Sequence, residues 1–380
     1  LGSATPSYES YFNALNGKYH LVLLERRYSN IELPEVKVVD IKKARVKKQM
    51  LSVLSSELYH MMKFAFGNKD QVILFQNRRG YSPFVQCFEC GWIPKCKNCD
   101  VSLTFHKFNR QLNCHYCGYS ILLPPLCPSC GSEDIKTRGV GTEKIEEELK
   151  PLFPDIQIRR IDYDTTRRKD SYTKILSDMK RRKTDLLVGT RMITKGLDFE
   201  HIRVVGIVDA DTLINFPDFR AHERAFQLIS QVSGRAGRKH NRGTVIIQTS
   251  HPDHPLIGNI VNQDYISAFN MEMEERKLFK YPPYYRLIKI SVKHQKAETV
   301  NRTAGQLASL LKERFPFIVL GPEYPLVGRV QSKFIKEIWL KIGLKQSLSR
   351  AKQIILLSVA DVRKRKENSS CIINVDVDPA

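Results

Sequence analysis

The chain has 380 residues, 42% of them hydrophobic, which allows two or three domains with sizeable cores and argues against disorder. Its 61 Lys and Arg against 40 Asp and Glu leave a formal charge of +21, which favours a polyanionic partner, nucleic acid ahead of an anionic membrane surface. No apolar run reaches the roughly 18–20 residues of a membrane span, and no export signal accompanies the nine cysteines, so metal ligation in a reducing cytoplasm is expected rather than a disulfide framework.

In chain order, Leu1–Ser7 reads as a strand end and turn, and the opening without Met reads as a fragment of a longer protein. His20–Glu25 reads as a short buried strand and Leu33–Asp40 as a connector. Val46–Phe66 carries apolar residues at helical spacing, closed by Gly67-Asn68. Gln71–Phe75 is a buried strand, after which a cysteine-rich segment interrupts. The α/β rhythm then resumes, with helices expected over 141–152, 170–181 and 220–232, and strands over 156–161, 185–189, 204–208 and 244–249. Short apolar strands alternating with helices predict an α/β fold, a parallel sheet with helices on both faces. From about 276 the texture changes to a small α+β domain, with strands near 286–293, 335–342 and 371–377 and helices near 298–314 and 347–359.

The cysteines fall as Cys87-x2-Cys90-x5-Cys96-x2-Cys99-x14-Cys114-x2-Cys117-x9-Cys127-x2-Cys130, with Cys371 apart. Each C-x2-C turn presents two thiolates to one ion, and two turns complete a closed S4 shell, so two structural Zn2+ are expected. Nested pairing joins Cys87, Cys90, Cys127 and Cys130 at the base and Cys96, Cys99, Cys114 and Cys117 at the tip. Sequential pairing stays open, although its first site closes over only five residues. His106 and His115 are not needed as ligands. Trp92, Phe105, Phe108, Tyr116 and Tyr119 among Lys95, Lys97, Lys107 and Arg110 fit either base stacking or the core of a small metal module.

Two further phrases carry chemistry. Val188-Gly-Thr-Arg-Met-Ile-Thr-Lys-Gly-Leu-Asp198 leaves a strand at the carboxyl edge, where Thr190, Thr194, Lys195 and Gly196 can hold a phosphate backbone. Gln231-Val-Ser-Gly-Arg-Ala-Gly-Arg238 ends a helix, and Arg235 and Arg238, three apart, would share a face. Asp209 and Asp211 read as a polar loop rather than a metal pair. With Ser3-Ala-Thr-Pro-Ser7, these phrases resemble motifs III, V and VI of superfamily-two helicases.

The eight-cysteine insertion narrows the resemblance to the PriA (primosomal protein N′) family of replication-restart helicases. Asn77-Arg-Arg-Gly80, Gly139-Val-Gly-Thr-Glu143, Arg160-Ile-Asp-Tyr-Asp-Thr165, Pro217-Asp-Phe-Arg220, Glu223-Arg224, Tyr281-Pro-Pro283 and Asp376-Val-Asp-Pro379 support it. The resemblance implies a RecA-like lobe with a double zinc-ribbon insertion. Residues 1–40 would end lobe one and link, 41–86 and 131–275 form lobe two, 87–130 the insertion and 276–380 the C-terminal domain. It implies 3′→5′ unwinding of DNA with ATP and Mg2+, and binding to forked and single-stranded DNA. It also implies contact with the single-strand-binding protein and other primosome proteins, in a bacterial cytoplasm near the nucleoid. Gln231, Arg235 and Arg238 would serve the nucleotide. Arg350 and Lys352 are basic candidates in the last domain. No Walker loop and no D-E-x-H box occur here, so this chain by itself is expected not to hydrolyse ATP. The alternative is a non-enzymatic zinc module that binds DNA or protein; a related motor on RNA is a third reading.

Overall fold

Six strands, β1 (Glu35–Asp40), β2 (Gln71–Phe75), β3 (Ile158–Ile161), β4 (Leu186–Gly189), β5 (Ile202–Ile207) and β6 (Thr244–Thr249), form one all-parallel sheet in the order β1-β6-β5-β2-β4-β3. The four inner strands β2, β4, β5 and β6 are buried almost throughout because both faces are covered, whereas the edge strands β1 and β3 are mixed. Ile73 and Phe75 face one core with helices 171–180, 221–233 and 255–261, while Val72 and Leu74 face the other with helices 56–67 and 142–149. The structure, a computed structural model, describes all residues except 1, 25–32, 77–83, 107–108, 138–140, 163–164, 167–169, 195–198, 238–241, 316–317 and 380. Among them, no helix is long and apolar enough to cross a membrane.

Several expectations change. Leu33–Asp40 is not a connector, because β1 within it pairs with β6 from Glu35↔Thr244 to Asp40↔Thr249 and forms the sheet edge. His20–Leu24 is exposed coil rather than a buried strand; Leu24 is 91% exposed, and no strand among the described residues pairs with it. Glu25 lies outside the described residues. Thr5–Ser7 leads into an unforeseen helix, Tyr8–Leu15, capped by the Ser7 hydroxyl accepting from Ser10 N at 3.2 Å. The expected helix over 46–66 splits. Met50–Leu51 and Leu54–Ser55 form a hairpin, and the helix starts only at Ser56, where the Ser55 hydroxyl accepts from Leu58 N. Gln248 staples that hairpin to the sheet end, donating to Val53 O and Val208 O and accepting from Ser55 N.

The last domain is an antiparallel sheet ordered 318–323, 333–343, 285–294, 372–377. Ile288, Ile290 and Val292 alternate onto helices 297–314 and 348–364. Leu287 and Trp339, on the opposite face, pack instead against the cysteine-rich insertion. Arg350 and Lys352 stand exposed on helix 348–364, a solvated face.

Candidate metal centres and motor surface

The insertion leaves the sheet after β2 and returns before helix 142–149, closed at its base by the antiparallel pair Val85–Cys87 with Ile135–Thr137. Every C-x2-C turn folds alike. The residue after its second cysteine takes a positive φ and returns its amide to the carbonyl of the first. Gly91, Asp100, Gly118 and Gly131 do so at φ +85°, +50°, +78° and +76°, with N···O of 2.9, 3.0, 3.0 and 2.8 Å. Three of the four are glycine because that region penalises a Cβ. Each loop thus turns both sulfurs inward.

The four turns pair in the nested manner. Cys87, Cys90, Cys127 and Cys130 gather in one group and Cys96, Cys99, Cys114 and Cys117 in a second, the sulfurs of each within 4.8 Å of one another. Cys87–Cys130, Cys90–Cys127 and Cys96–Cys117 stand 3.6 Å apart. A tetrahedral ion with Zn–S near 2.3 Å needs sulfurs about 3.8 Å apart, so both groups fit zinc. Although burial opposes it, the Trp92 amide and the neighbouring thiols draw Cys90 down to about 7. The Ser132 amide acts the same way on Cys130, yet its neighbouring thiols push it up to about 12. Four thiolates ionise together only around a cation.

The inner group is not a free tip. Cys96, Cys99 and Cys114 are buried, and Tyr281 Oη donates to Cys99 O at 3.1 Å. Tyr281 stacks on Phe219 at 4.4 Å, and Tyr116 lies 5.1 Å from Trp339. Lys341 sits over the Tyr281 ring at 3.6 Å and donates to Phe279 O. His115 Nδ1 bonds Tyr324 O, and its ring packs on His106 at 5.3 Å, so both histidines are packing residues. Motor lobe, insertion and last domain therefore meet at the inner group. Tyr116 belongs to this core, Lys97 covers Tyr119 at 5.0 Å, and Lys107 and Phe108 lie outside the described residues.

On the motor side, Thr190 follows β4, its amide bonded to Ile161 O at 3.3 Å. Gly189 is needed there: a Cβ would stand 2.4 Å from Ile161 Cγ2 and 2.7 Å from Ile193 Cδ1. Thr194 ends the following 3-10 turn, Arg191–Thr194, while Lys195 and Gly196 lie outside the described residues. Helix 221–233 runs from this turn toward the amino edge of the sheet, where Gly237 N bonds Ile202 O at 2.9 Å. Gln231 is exposed near its end. Arg235 lies past the helix end at Ser233, so helical spacing does not relate it to Arg238, which is outside the described residues. Thirteen helical residues span about 20 Å, so Thr190 and Gln231 stand toward opposite sheet edges. Asp211 is buried on a short helix, accepting from Thr249 Oγ1 at 2.5 Å and Ser250 N at 2.8 Å, and Asp209 caps Thr212 N; both brace a loop.

The separated phrases prove to be neighbours. Arg276, 1% exposed, donates to Glu223 at 2.6 Å, Glu272 at 3.1 Å, Glu9 at 3.3 Å and Pro282 O at 3.3 Å. Arg220 joins Glu9 to Pro379 O, and Glu223 accepts from Tyr8 N. Gln227 donates to Thr5 O and Pro6 O. Thr142 Oγ1 donates to Asp162 at 2.8 Å, linking two more phrases. Arg276 lies in a stretch that carries no motif, so only the partners in the flanking phrases hinted at it.

A histidine pair completes this junction. His222 bonds Glu272 at 3.2 Å, and His254 lies 5.4 Å from it, its Nδ1 capping helix 255–261 by accepting from Leu256 N. Burial, then His222 and Lys95, push His254 down to about 4. Its folded pKa is thus below the ordinary value near 6.5. This contribution is fully present above that value and lost as pH falls toward 4. His254→Asn keeps an N-cap acceptor and should remove about 1–2 kcal/mol of the stability loss between pH 7 and 5, at ~1.4 kcal/mol per unit discounted for partial exposure. Thermal unfolding of both forms across that range checks it; parallel acid slopes would refute it. His222 acts in the opposite sense. Burial lowers it, but Glu272 and Glu275 raise it overall, so its contribution fades as pH rises through that pKa.

Sequence comparison covers the same three parts. Residues 96–121 match the PriA DNA helicase Cys-rich region (CRR) domain, 136–240 the helicase conserved C-terminal domain, and 277–380 the primosomal protein N C-terminal domain. The replication restart protein PriA of Bacillus subtilis (strain 168) is 39% identical over 382 residues, covering 100% of this chain and 47% of that protein. The chain is homologous to PriA from end to end. PriA of Synechocystis sp. is 39% identical over 100% of this chain and 46% of its own length, and PriA of Haemophilus influenzae 35% over 100% and 51%. The chain spans about half the length of the curated PriA relatives it matches. RecG bound to a three-way DNA junction overlays with a TM-score of 0.40 at 13% identity, covering 72% of this chain and 26% of that one. The PriA cysteine-rich match takes in only the inner four cysteines; the outer four flank it.

Proposed function

We propose that the chain is the second motor lobe, zinc insertion and C-terminal domain of an ATP-dependent 3′→5′ DNA helicase. That helicase recognises stalled or branched forks and starts primosome assembly for replication restart. The joining of the motif phrases at Arg276, together with PriA homology over the whole chain, supports this best. In this reading ATP and Mg2+ lie between this lobe and a first lobe, on the side of Gln231 and Arg235, and Arg238 of the same phrase serves the nucleotide with them. An arginine there stabilises charge on the transferring phosphoryl group. Thr190, at the other sheet edge, holds one DNA strand by its phosphates together with Thr194, Lys195 and Gly196 of the same phrase. Separating the two surfaces by a rigid helix lets nucleotide-driven lobe movement be felt at the strand.

Cys87, Cys90, Cys127 and Cys130 ligate one structural Zn2+ and Cys96, Cys99, Cys114 and Cys117 the other. Closed S4 shells leave no position for catalytic water. The partners are forked and single-stranded DNA, the single-strand-binding protein and other primosome proteins, in a bacterial cytoplasm near the nucleoid. Fluorescence anisotropy with forked DNA across salt concentrations tests the DNA reading. The logarithm of affinity should fall against that of salt with a slope of about −0.7 to −0.9 per neutralised phosphate. A flat response overturns phosphate-led binding.

A further inference from the structure

The carboxyl edge of the sheet carries a cavity of about 210 Å³ that the motor phrases do not use. Its walls come from four places: Arg45 on helix 41–46, Met50 on the hairpin, Gln76 and Asp209 just past β2 and β5, and Phe88 from the first zinc turn. Parallel sheets place ligands at this edge. The volume far exceeds the roughly 10–15 Å³ that holds one water and falls below the roughly 300–1,000 Å³ of drug-sized sites. One flat ring matches it. The half-buried Phe88 ring carries the Arg45 guanidinium 4.7 Å and Lys136 Nζ 5.9 Å from its centroid, so Arg45 and Phe88 together form a stacked wall of the cavity. Gln76 and Asp209 are among the residues that line it. Outside the mouth runs Ile41-Lys-Lys-Ala-Arg-Val-Lys-Lys48, with Lys43, Lys47 and Lys48 exposed. Lys42 Nζ donates to Cys90 O at 3.3 Å, fixing this basic helix to the zinc insertion.

We propose that this cavity takes one unpaired base of single-stranded DNA, packed against the stacked Arg45 and Phe88 pair, while Lys43, Lys47 and Lys48 hold the adjoining phosphates. Base-on-aromatic stacking beside a basic track is the general means of gripping a single strand. The pocket lies at the foot of the zinc insertion, so a base held there keeps two strands apart beside the motor lobe. The inference rests on the reading that the chain binds forked DNA, and goes beyond it by naming a base-holding site.

The test uses the whole chain with forked DNA whose single-stranded arm carries one abasic site, scanned position by position. One position should weaken binding by about 5- to 100-fold. Phe88→Ala should lose the same factor on the intact fork and nothing further on the fork abasic at that position. Met50→Trp, which fills the cavity and leaves Phe88 in place, should reproduce the loss. Both variants should keep the wild-type zinc content and thermal midpoint. Excess dTMP should leave fork affinity unchanged. The proposal is overturned if every abasic position costs less than 2-fold, or if Phe88→Ala leaves the abasic penalty intact. Competition by dTMP that abolishes the Phe88-dependent factor would also overturn it, reassigning the cavity to a free nucleotide. Absence of any fork binding by the unaltered chain would instead defeat the DNA-binding reading itself.

Discussion

Arg276→Ala is expected to destabilise the chain by about 3–5 kcal/mol, because it strands buried carboxylates around an empty guanidinium site. Glu272 and Glu223 are 2% and 3% exposed, and both aim at Arg276. Burial alone would lower the pKa of Arg276, but Glu272, Glu223 and Glu9 more than reverse this. Burial raises Glu223 even so, which marks its ionised form as dependent on the arginine. Lys at 276 should recover only part of the loss, since an ammonium cannot donate in the planar fork that reaches Glu272, Glu223, Glu9 and Pro282 O together. Replacing Arg276 by Met together with Glu223→Gln and Glu272→Gln should be milder than Arg276→Ala, because no unpaired charge remains. Urea denaturation measures all three. A loss under about 0.5 kcal/mol for Arg276→Ala, the ordinary range of surface substitutions, would show that the hub does not hold the lobes together.

The hub also shows what can be read from sequence and what cannot. Strands β2, β4, β5 and β6 were legible because each is a short, largely apolar run between turn residues, and β3, though Ile158-Arg-Arg-Ile161, was placed by the α/β rhythm; all shift by only a residue or two. The C-x2-C turns were legible because ligand type and spacing are local; loop length favoured the nested pairing seen here without closing the sequential one. Long-range packing was not legible. Tyr8–Leu15 is a helix that owes its place to Phe269 and Met273, more than 250 positions away, and nothing near Tyr8 announces them. β1 reads as a connector because its pattern is mixed, as befits an edge strand half in solvent. Val46–Phe66 misled because Met50, Val53 and Leu54 meet helical spacing although Ser52 turns the chain at φ +60° and Ser55 starts the helix. On the motor side, Gln231 falls in the last turn of its helix but Arg235 lies past the helix end, and their distance from Thr190 depends on the path of the helix across the sheet.

The same limit governs the zinc insertion, and it reverses the expected ranking of its two sites. Loop length alone makes the inner group a tip, whose loss would spare the rest. Its real neighbours are Tyr281, Trp339 and Lys341, so loss of that ion should release the C-terminal domain. Cys96→Ser is therefore expected to remove one of two zinc ions per chain and expose the 279–285 link to protease, while the parallel sheet persists. A structural zinc site supplies on the order of 10 kcal/mol of folding free energy, enough to undo a docking interface. Cys130→Ser should also remove one ion but leave the domains docked. Cys130 is exposed, and the Val85–Cys87 and Ile135–Thr137 pair still closes the base by backbone hydrogen bonds. Metal analysis with limited proteolysis and mass spectrometry separates the two variants. If Cys96→Ser leaves the 279–285 link as resistant as in the parent chain, the inner site is the independent tip that spacing suggests. If Cys130→Ser instead frees the C-terminal domain, the base and not the inner group is the joint through which the domains are held.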